Sequence, residues 1–299
     1  MKVSIVVPTL NEESLLPTLL ESITRQSFLD YEIIVSDAGS ADSTRSIAES
    51  YGAVVVDGGL PGAGRNEGAR ASTGEYLFFF DADVTLPDGF LDAAVAELDE
   101  RYIDLATCEI RPLSQFTLDR IVHKFINMSV RTSLRIDPKA MGFCIFATSR
   151  LFRRVAGFDE TIRIGEDAEF VKRASKFSPL HWLSTVNIQV SVRRFEKEGR
   201  LRSIKKGISL NLHRAFKGEV RNDAIEYEFA QYDVGPDATG SKLMSKIEKT
   251  LLRFEKRNPE LSESCITDAE VLDEVTEDLK RLFMRRSKKR DDNSIGGKS

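Results

Sequence analysis

Histidine, cysteine and tryptophan are scarce in this chain of 299 residues, which contains three, three and one of them. The histidines lie far apart without the spacing of metal ligands, so they do not predict a histidine-based metal centre. Cys108, Cys144 and Cys265 are widely spaced and odd in number, a pattern that fits neither a disulfide framework nor a cysteine zinc site. Free thiols are typical of a reducing compartment, and we therefore expect a cytoplasmic protein.

Long apolar runs and an excess of positive charge are also missing. The densest apolar stretch, Tyr76–Phe80, has about five residues, whereas a membrane-spanning helix needs about 20. Residues Met1–Pro8 lack the apolar core and cleavage site of a signal peptide, so we expect no export by that route. The 43 basic and 47 acidic residues give a net charge of −4, which argues against a nucleic-acid partner held through overall charge.

What is present is an alternation of short β-branched runs with helical patterns through the first two-thirds of the chain. Strands are predicted at Val3–Val7, Glu32–Ser36, Ala53–Val56, Tyr76–Phe80, Leu105–Ile110, Phe143–Ala147 and Thr185–Val192. This alternation predicts an α/β fold with a mixed, mostly parallel sheet flanked by helices.

Several local signals between these strands predict helix starts. Asn11 is expected to cap the first helix, and Asp42 or Ser43 the second. The glycine-rich segment 58–64 precedes a polar helix at Arg65–Ser72. It is either a flexible connection or a loop whose backbone approaches a ligand closely.

The composition changes after the last predicted strand. Residues 193–217 contain nine Lys or Arg against two Glu, and their apolar spacing predicts a basic amphipathic helix. This helix either packs on the preceding domain or lies on an anionic membrane. An acidic amphipathic helix and a disordered basic tail are expected to follow. We therefore divide the chain into an α/β domain, 1–196, and a helical extension, 197–299.

Acidic residues follow the carboxyl ends of successive predicted strands. Glu12 comes after the first, Asp37 after the second, and Asp81 and Asp83 after the fourth. In an open α/β sheet these ends form the ligand crevice. Two carboxylates on one turn can bind Mg²⁺ or Mn²⁺ together with substrate phosphates, and the Arg65 guanidinium suits a phosphate or a base edge.

Six short motifs, taken in order, resemble family 2 glycosyltransferases of the GT-A fold. They are Pro8–Glu12, Ser36–Ser43, Gly64–Gly68, Gly74–Tyr76, Asp81–Asp83 and Gly165–Asp167. The resemblance covers residues 1–195 and implies a nucleotide-diphosphate sugar as donor. Many relatives carry a second Asp after the one at position 37, where this chain has Ala38, so the resemblance does not imply a particular nucleotide base.

The resemblance also implies a role for individual residues. Those that would line the donor pocket are Pro8, Thr9, Glu12, Asp37, Arg65, Asp81 and Arg194. Of these, Asp37 would contact the base or ribose, and Arg194 belongs to a basic-aromatic element that closes over the diphosphate. Asp83, with Asp81 beside it, would bind the Mg²⁺ or Mn²⁺ that bridges the diphosphate. Asp167 would be the general base.

The function implied is a divalent-metal-dependent, inverting glycosyltransferase of the hexosyltransferase type. Its acceptor hydroxyl would belong to a glycan, a lipid-linked sugar or a small molecule, and peripheral contact with the cytoplasmic membrane face is expected for a lipid-linked one. One alternative is a polyprenyl-phosphate sugar synthase, whose phosphate acceptor is already ionised and needs no base. Another is a non-catalytic sugar-nucleotide sensor or scaffold. The oligomeric state is left open.

Overall fold

The computed structural model describes residues 1–198 together with Glu219 and Arg221. Most of the predicted basic amphipathic helix, the acidic helix and the basic tail lie outside the described residues. The boundary between residues 196 and 197 therefore stays a prediction. Within 1–198, none of the helices combines the length and the apolar character needed to cross a bilayer.

Eight strands and eight helices make up the described part of the chain. The strands are β1 Val3–Thr9, β2 Tyr31–Asp37, β3 Val54–Asp57, β4 Tyr76–Phe79, β5 Val84–Thr85, β6 Leu105–Pro112, β7 Ile145–Thr148 and β8 His181–Val190. The helices are α1 Leu16–Thr24, α2 Thr44–Ser50, α3 Pro61–Ala71, α4 Phe90–Glu100, α5 Thr117–Ser133, α6 Ser149–Arg154, α7 Glu166–Ala174 and α8 Arg193–Glu198. Helix α4 and strand β5 were not predicted from the sequence.

The strands form one mixed sheet in the order β3-β2-β1-β4-β7-β6-β8-β5. Strands β3, β2, β1 and β4 run parallel to one another, and β6 is parallel to β8. Strand β7 is antiparallel to both of its neighbours, and the two-residue β5 is antiparallel to β8. The predicted α/β class with a mixed sheet is confirmed. The parallel strands β1, β2 and β4 bring their carboxyl ends to one edge.

The phenylalanine run at the end of β4 is buried on both faces of the sheet. Phe78 and Phe80 belong to one apolar cluster and Phe79 to the other, because successive side chains of a strand point to opposite faces. The Phe78 ring contacts that of Phe146 with centroids 4.7 Å apart, and the Phe79 ring contacts that of Phe158 at 5.2 Å. This packing on both faces fixes the strand end from which Asp81 and Asp83 project.

The glycine-rich segment is not a flexible connection, because α3 begins at Pro61 and includes Gly62 and Gly64. Proline is well suited to the first position of a helix, where its missing N–H leaves no bond unmade. A Cβ at Gly68 would lie 2.3 Å from Val6 Cγ1, and one at Gly64 would lie 3.2 Å from the Pro8 Cβ. These glycines let α3 lie directly on β1, which brings Arg65 to the carboxyl edge of the sheet.

Substitution of Gly68 by Ala is expected to lower the free energy of unfolding by about 1–3 kcal/mol, the usual cost of overpacking. The added methyl has to displace either Val6 or the helix. Chemical denaturation of the variant and of Glu67→Ala measures the effect. Glu67 is half-exposed on the same helix, and its replacement is expected to change stability by less than about 1 kcal/mol. Equal stability of Gly68→Ala and wild type would contradict this packing.

The prediction that Asn11 caps α1 is wrong. Helix α1 begins at Leu16 with Leu15 at the N-cap position, and no side chain caps it. Asn11 instead adopts a left-handed backbone conformation with φ 55°, which Asn tolerates better than most residues. Its Oδ1 accepts a hydrogen bond of 2.9 Å from the Ala41 N–H, which joins the loops after β1 and β2.

At the start of α2 the predicted cap is partly correct. Asp42 Oδ1 accepts a hydrogen bond of 3.0 Å from the Thr44 N–H, whereas Ser43, at the N-cap position, makes no side-chain cap bond.

Two of the three cysteines are neighbours in the fold. Cys108 on β6 and Cys144 just before β7 are both buried, with their sulfur atoms 3.3 Å apart. Both are free thiols. Because the two cysteines are 36 residues apart in the sequence, this contact was not predicted.

Candidate active site

The loops that follow β1 and β2 enclose a buried carboxylate, Asp37. Thr9 and Asp37 are paired at the ends of the two strands, and Thr9 Oγ1 donates to Asp37 Oδ2 at 3.0 Å. The side chain of Ser40 also donates to Asp37 Oδ2, and the N–H groups of Gly39 and Ser40 donate to Oδ1. Burial alone would raise the pKa of Asp37, but these hydrogen bonds outweigh burial and hold the pKa below its ordinary value. Asp37 therefore shapes the loop, and its contact with a base or ribose stays a prediction.

A second group of charges surrounds Asp83, on the turn after β4. Burial, followed by the nearby charges of Asp81 and Glu12, raises the pKa of Asp83 to about 7, although Arg193 and Arg194 oppose this. The backbone holds the turn against the end of β8, because the Ser191 N–H donates to the Asp83 carbonyl at 2.9 Å. Asp83 therefore lies near the carboxylates of Asp81 and Glu12 and the guanidinium groups of Arg193 and Arg194.

Glu12 connects the end of β1 to the start of α8. Its Oε1 accepts a hydrogen bond of 2.8 Å from Arg193 Nη2, while its Oε2 is buried and has no hydrogen-bond partner. Burial raises the pKa of Glu12 even though the bond from Arg193 lowers it. An unpartnered buried carboxylate oxygen favours a cationic or hydrogen-bonding ligand nearby.

Arg65 joins two carboxylates from distant parts of the chain. Its Nη2 donates to Asp81 Oδ1 at 2.8 Å, and its Nη1 donates to Glu166 Oε1 at 2.7 Å. The Arg65 side chain is only 3% exposed, and its guanidinium carbon lies 5.6 Å from the centre of the Phe158 ring. A planar guanidinium can hold two carboxylates at fixed angles, which the point charge of lysine cannot do.

Asp167 lies beside this bridge, at the start of α7. Its Oδ2 accepts a hydrogen bond of 2.9 Å from the Gly142 N–H, which comes from the loop before β7. A Cβ at position 142 would lie 2.4 Å from Arg65 Nη2, so a larger residue in place of Gly142 would displace the guanidinium. Burial and then the neighbouring Asp167 raise the pKa of Glu166 to about 7, although Arg65 lowers it. Asp167 is half-buried, and its charge acts on both Arg65 and Glu166.

The residues around Asp83 fit a divalent cation. Asp81 and Asp83 supply hard oxygen ligands on one turn, and burial, together with the nearby charges of Asp81 and Glu12, raises the pKa of Asp83. Within residues 1–198, Glu219 and Arg221, no three His, Cys, Asp or Glu side chains form a complete metal centre. This number of protein ligands suits Mg²⁺ or Mn²⁺, which usually binds through one or two carboxylates plus substrate phosphates.

The affinity for Mn²⁺ is expected to rise with pH up to about 7 and to level off above it. Below the pKa of Asp83, which is about 7, the cation must displace a proton from the carboxyl, so the apparent affinity falls about tenfold for each pH unit. Titration of Mn²⁺ by electron paramagnetic resonance at a series of pH values measures this dependence. A constant affinity across that range would show that Asp83 is not the ligand.

The structure brings all nine predicted site residues to one edge of the sheet, in two groups. Pro8, Thr9 and Asp37 lie at the ends of β1 and β2. The residues of the charged group are Glu12, Arg65, Asp81, Asp83, Asp167 and Arg194. Sequence reasoning missed the contacts of Glu166, Gly142 and Arg193 with this group.

The mixed α/β sheet flanked by helices matches solved structures of the GT-A class of glycosyltransferase folds. The chain belongs to glycosyl transferase family 2, whose family model matches residues 4–157. That span contains Glu12, Arg65, Asp81 and Asp83 and ends before Glu166 and Asp167.

Two relatives illustrate the sequence similarity. The chain is 27% identical over 189 residues to the poly(ribitol-phosphate) β-N-acetylglucosaminyltransferase TarS of Staphylococcus aureus, covering 58% of this chain and 32% of TarS. It is 26% identical over 185 residues to the glycosyltransferase AglE of Haloferax volcanii, covering 58% of this chain and 61% of AglE. The match therefore spans about a third of TarS.

Solved structures share the fold. The crystal structure of S. aureus TarS residues 1–349 superposes with a TM-score of 0.54 and 24% identity over 73% of each chain. The mannosyltransferase PcManGT of Pyrobaculum calidifontis, in complex with GDP-Man and Mn²⁺, gives a TM-score of 0.54 with 22% identity. The match covers 70% of this chain and 64% of the PcManGT chain.

Proposed function

We propose that this protein transfers a sugar from a nucleotide-diphosphate sugar to an acceptor hydroxyl, with inversion at the anomeric carbon and with the help of Mg²⁺ or Mn²⁺. The observation that carries the proposal is the Arg65 bridge. It ties Asp81, beside the cation ligand Asp83, to Glu166, which directly precedes the base Asp167. One guanidinium thus sets the spacing between the two halves of the reaction centre.

The donor half of the site would neutralise the negative charge of the diphosphate. Asp83 and Asp81 would hold the cation, and a bound cation stabilises the charge of the departing diphosphate. Arg194, exposed at the start of α8, would contact the diphosphate. Proteins of this fold have been crystallised with UDP-GlcNAc and with GDP-Man and Mn²⁺, which supports a sugar nucleotide as donor.

The acceptor half needs a single base. Gly142 holds Asp167 Oδ2 in place, and the carboxylate accepts the proton of the acceptor hydroxyl as that oxygen attacks the anomeric carbon. The bond between the anomeric carbon and the diphosphate oxygen breaks on the opposite face, and its electron pair leaves with the nucleoside diphosphate. A single displacement of this kind inverts the anomeric configuration.

The acceptor class follows from the need for this base. A hydroxyl of a glycan, a lipid-linked sugar or a small molecule requires deprotonation, whereas a polyprenyl phosphate does not. The fixed carboxylate of Asp167 beside the donor half therefore favours a hydroxyl acceptor over the polyprenyl-phosphate alternative. It also favours catalysis over a sensor or scaffold. We further propose that the protein acts at the cytoplasmic side of a membrane when its acceptor is lipid-linked.

Release of nucleoside diphosphate from a panel of sugar nucleotides tests the proposal. With Mn²⁺ and a set of hydroxyl acceptors, we expect release from one class of donor, suppression by EDTA, and a product of inverted configuration in its proton NMR spectrum. The variant Asp88→Ala removes an exposed acid five residues after Asp83 in sequence and serves as control. A product that retains the donor configuration would contradict single displacement.

A further inference from the structure

Two buried thiols that the proposed mechanism does not use lie next to the turn that holds Asp167. Cys108 on β6 is 2% exposed, Cys144 is completely buried, and their sulfur atoms are 3.3 Å apart. A covalent bond between two sulfur atoms is about 2 Å long, so an approach of about 1 Å would join them. Cys265, the third cysteine, lies outside the described residues.

Hydrogen-bond donors surround the sulfur atom of Cys144. The Cys108 N–H donates to it at 3.3 Å and the Thr107 hydroxyl at 3.5 Å, and the Cys108 thiol can supply a third hydrogen bond. Burial alone would raise the pKa of Cys144, but these hydrogen bonds outweigh burial and lower it. Burial, followed by the hydrogen bond with Cys144, raises the pKa of Cys108. When one of the two thiols ionises, the remaining proton is therefore held by Cys108, and Cys144 is the reactive thiolate.

One short turn connects this pair of thiols to the proposed base. The turn runs from Met141 to Cys144 and is closed by a hydrogen bond of 2.9 Å from the Cys144 N–H to the Met141 carbonyl. Thr107 Oγ1 ties the end of the turn to β6 by donating to the Cys144 carbonyl at 2.8 Å. Within the turn, the Gly142 N–H donates to Asp167 Oδ2 at 2.9 Å. A displacement of about 1 Å at Cys144 would therefore move Gly142 and, with it, Asp167.

Regular structure is interrupted at both cysteines. Cys144 lies in the turn that ends where β7 begins, and the pairing of β6 with β8 shifts in register between Cys108 and Glu109. A buried thiol reacts only when the structure around it opens, and local opening is easiest where regular hydrogen bonding stops. We therefore expect a small oxidant to reach Cys144 when this turn opens, without unfolding of the whole domain.

We propose that Cys108 and Cys144 form an oxidation site, at which hydrogen peroxide converts the two thiols into a disulfide. The Cys144 thiolate attacks one peroxide oxygen, the O–O bond breaks, and the hydroxide that leaves takes up a proton to become water. Cys144 is then a sulfenic acid. The Cys108 sulfur attacks the Cys144 sulfur, the S–O bond breaks, and a second water leaves with the proton of the Cys108 thiol. Two thiols and one hydrogen peroxide thus give one disulfide and two waters.

The disulfide is expected to slow sugar transfer, and this effect rests on the proposed function, in which Asp167 is the base. Misplacement of a catalytic group by about 1 Å can lower a rate about 10²-fold. We therefore expect the disulfide to lower the release of nucleoside diphosphate by about that factor, and a thiol reductant to restore it. In a reducing compartment such a disulfide would be transient, as redox-sensing disulfides are.

Peptide mass spectrometry of the full chain after exposure to hydrogen peroxide tests the site itself. Digestion of oxidised wild type is expected to give a linked pair of peptides that contains Cys108 and Cys144. Alkylation in urea is then expected to label only Cys265 of the three cysteines. Cys265→Ser is the matched control and is expected to form the same link. A link to Cys265, or oxidation of either buried sulfur without a link, would overturn the proposal, as would unchanged thiols in wild type.

Release of nucleoside diphosphate before peroxide, after it, and again after dithiothreitol measures the effect on the rate. Wild type and Cys265→Ser are expected to lose about 10²-fold and to recover, whereas Cys108→Ala is expected to stay within a few-fold of its own untreated rate. Cys108→Ala keeps every methionine, so a loss caused by methionine oxidation would appear in it equally. Equal losses in Cys108→Ala and wild type, or a linked wild type with an undiminished rate, would overturn the effect on the base.

The two measurements keep the possible failures apart. The peptide link is detected without any activity, so failure of the proposed function would leave the test of the oxidation site intact. The link and its reversal by dithiothreitol are read from wild type and Cys265→Ser, so this test does not depend on the folding of Cys108→Ala.

Discussion

Asp167→Asn is expected to lower kcat about 10²- to 10⁴-fold, the usual contribution of a general base. The amide is nearly the same size as the carboxylate, and its oxygen can still accept the hydrogen bond from the Gly142 N–H. Donor affinity is therefore expected to stay close to that of wild type. The loss would come from the proton that the hydroxyl acceptor can no longer transfer.

Single-turnover rates and donor dissociation constants, measured side by side, separate these two effects. Glu169→Gln is the matched control, because Glu169 lies on the same helix and pairs with Arg173. We expect its rate to remain within a few-fold of wild type. Full activity of Asp167→Asn would contradict the assignment of Asp167 as the general base. It would favour an acceptor phosphate that is already ionised.

Arg65→Ala is expected to lower the free energy of unfolding by about 3–5 kcal/mol, the usual cost of removing one partner from a buried ion pair. Its loss leaves Glu166, whose side chain is 9% exposed, without its cation. The destabilisation is expected to be larger at pH 8 than at pH 6. The pKa of Glu166 is raised to about 7 even with Arg65 present, so at lower pH the uncompensated carboxylate is relieved by protonation.

Urea denaturation at the two pH values measures the effect, with Arg70→Ala as the control. Arg70 lies on the same helix and pairs with Glu67 and Glu160, but its side chain is 57% exposed. Its replacement is expected to lower the free energy of unfolding by less than about 1 kcal/mol. Equal losses in the two variants would show that the Arg65 bridge is not a buried network.

Local patterns in the sequence were sufficient for the fold class and for the position of the carboxylates. The run Tyr76–Phe80 is apolar at every position, which predicts a strand buried on both faces, and the Asp residues that follow it must then lie at its end. Asp37 was likewise predicted to follow the strand Glu32–Ser36, and it is the last residue of β2. The carboxyl ends of parallel strands meet at one edge, so these residues could be brought together without a structure.

Contacts between distant residues could not be predicted in this way. Arg65 and Glu166 are 101 residues apart, and no periodicity or spacing relates them. Gly142 gives no signal either, since its role depends on the approach of the Arg65 guanidinium. Gly62 and Gly64 were predicted to precede the helix, because glycine normally weakens a helix, but both lie within α3, where a Cβ at Gly64 would come 3.2 Å from the Pro8 Cβ.

Calorimetric titration of nucleoside diphosphates and sugar nucleotides, in Mn²⁺ and in EDTA, tests the central claim most directly. The account predicts that one class of nucleotide binds wild type and Asp88→Ala only in the presence of Mn²⁺, and that Asp83→Ala loses this binding. Asp83 is the carboxylate whose pKa is raised to about 7, first by burial and then by the charges of Asp81 and Glu12, so a bound cation would stabilise its ionised form. Equal affinity of Asp83→Ala and wild type, or no binding of any nucleotide to wild type, would contradict a metal-assisted donor site at this edge of the sheet.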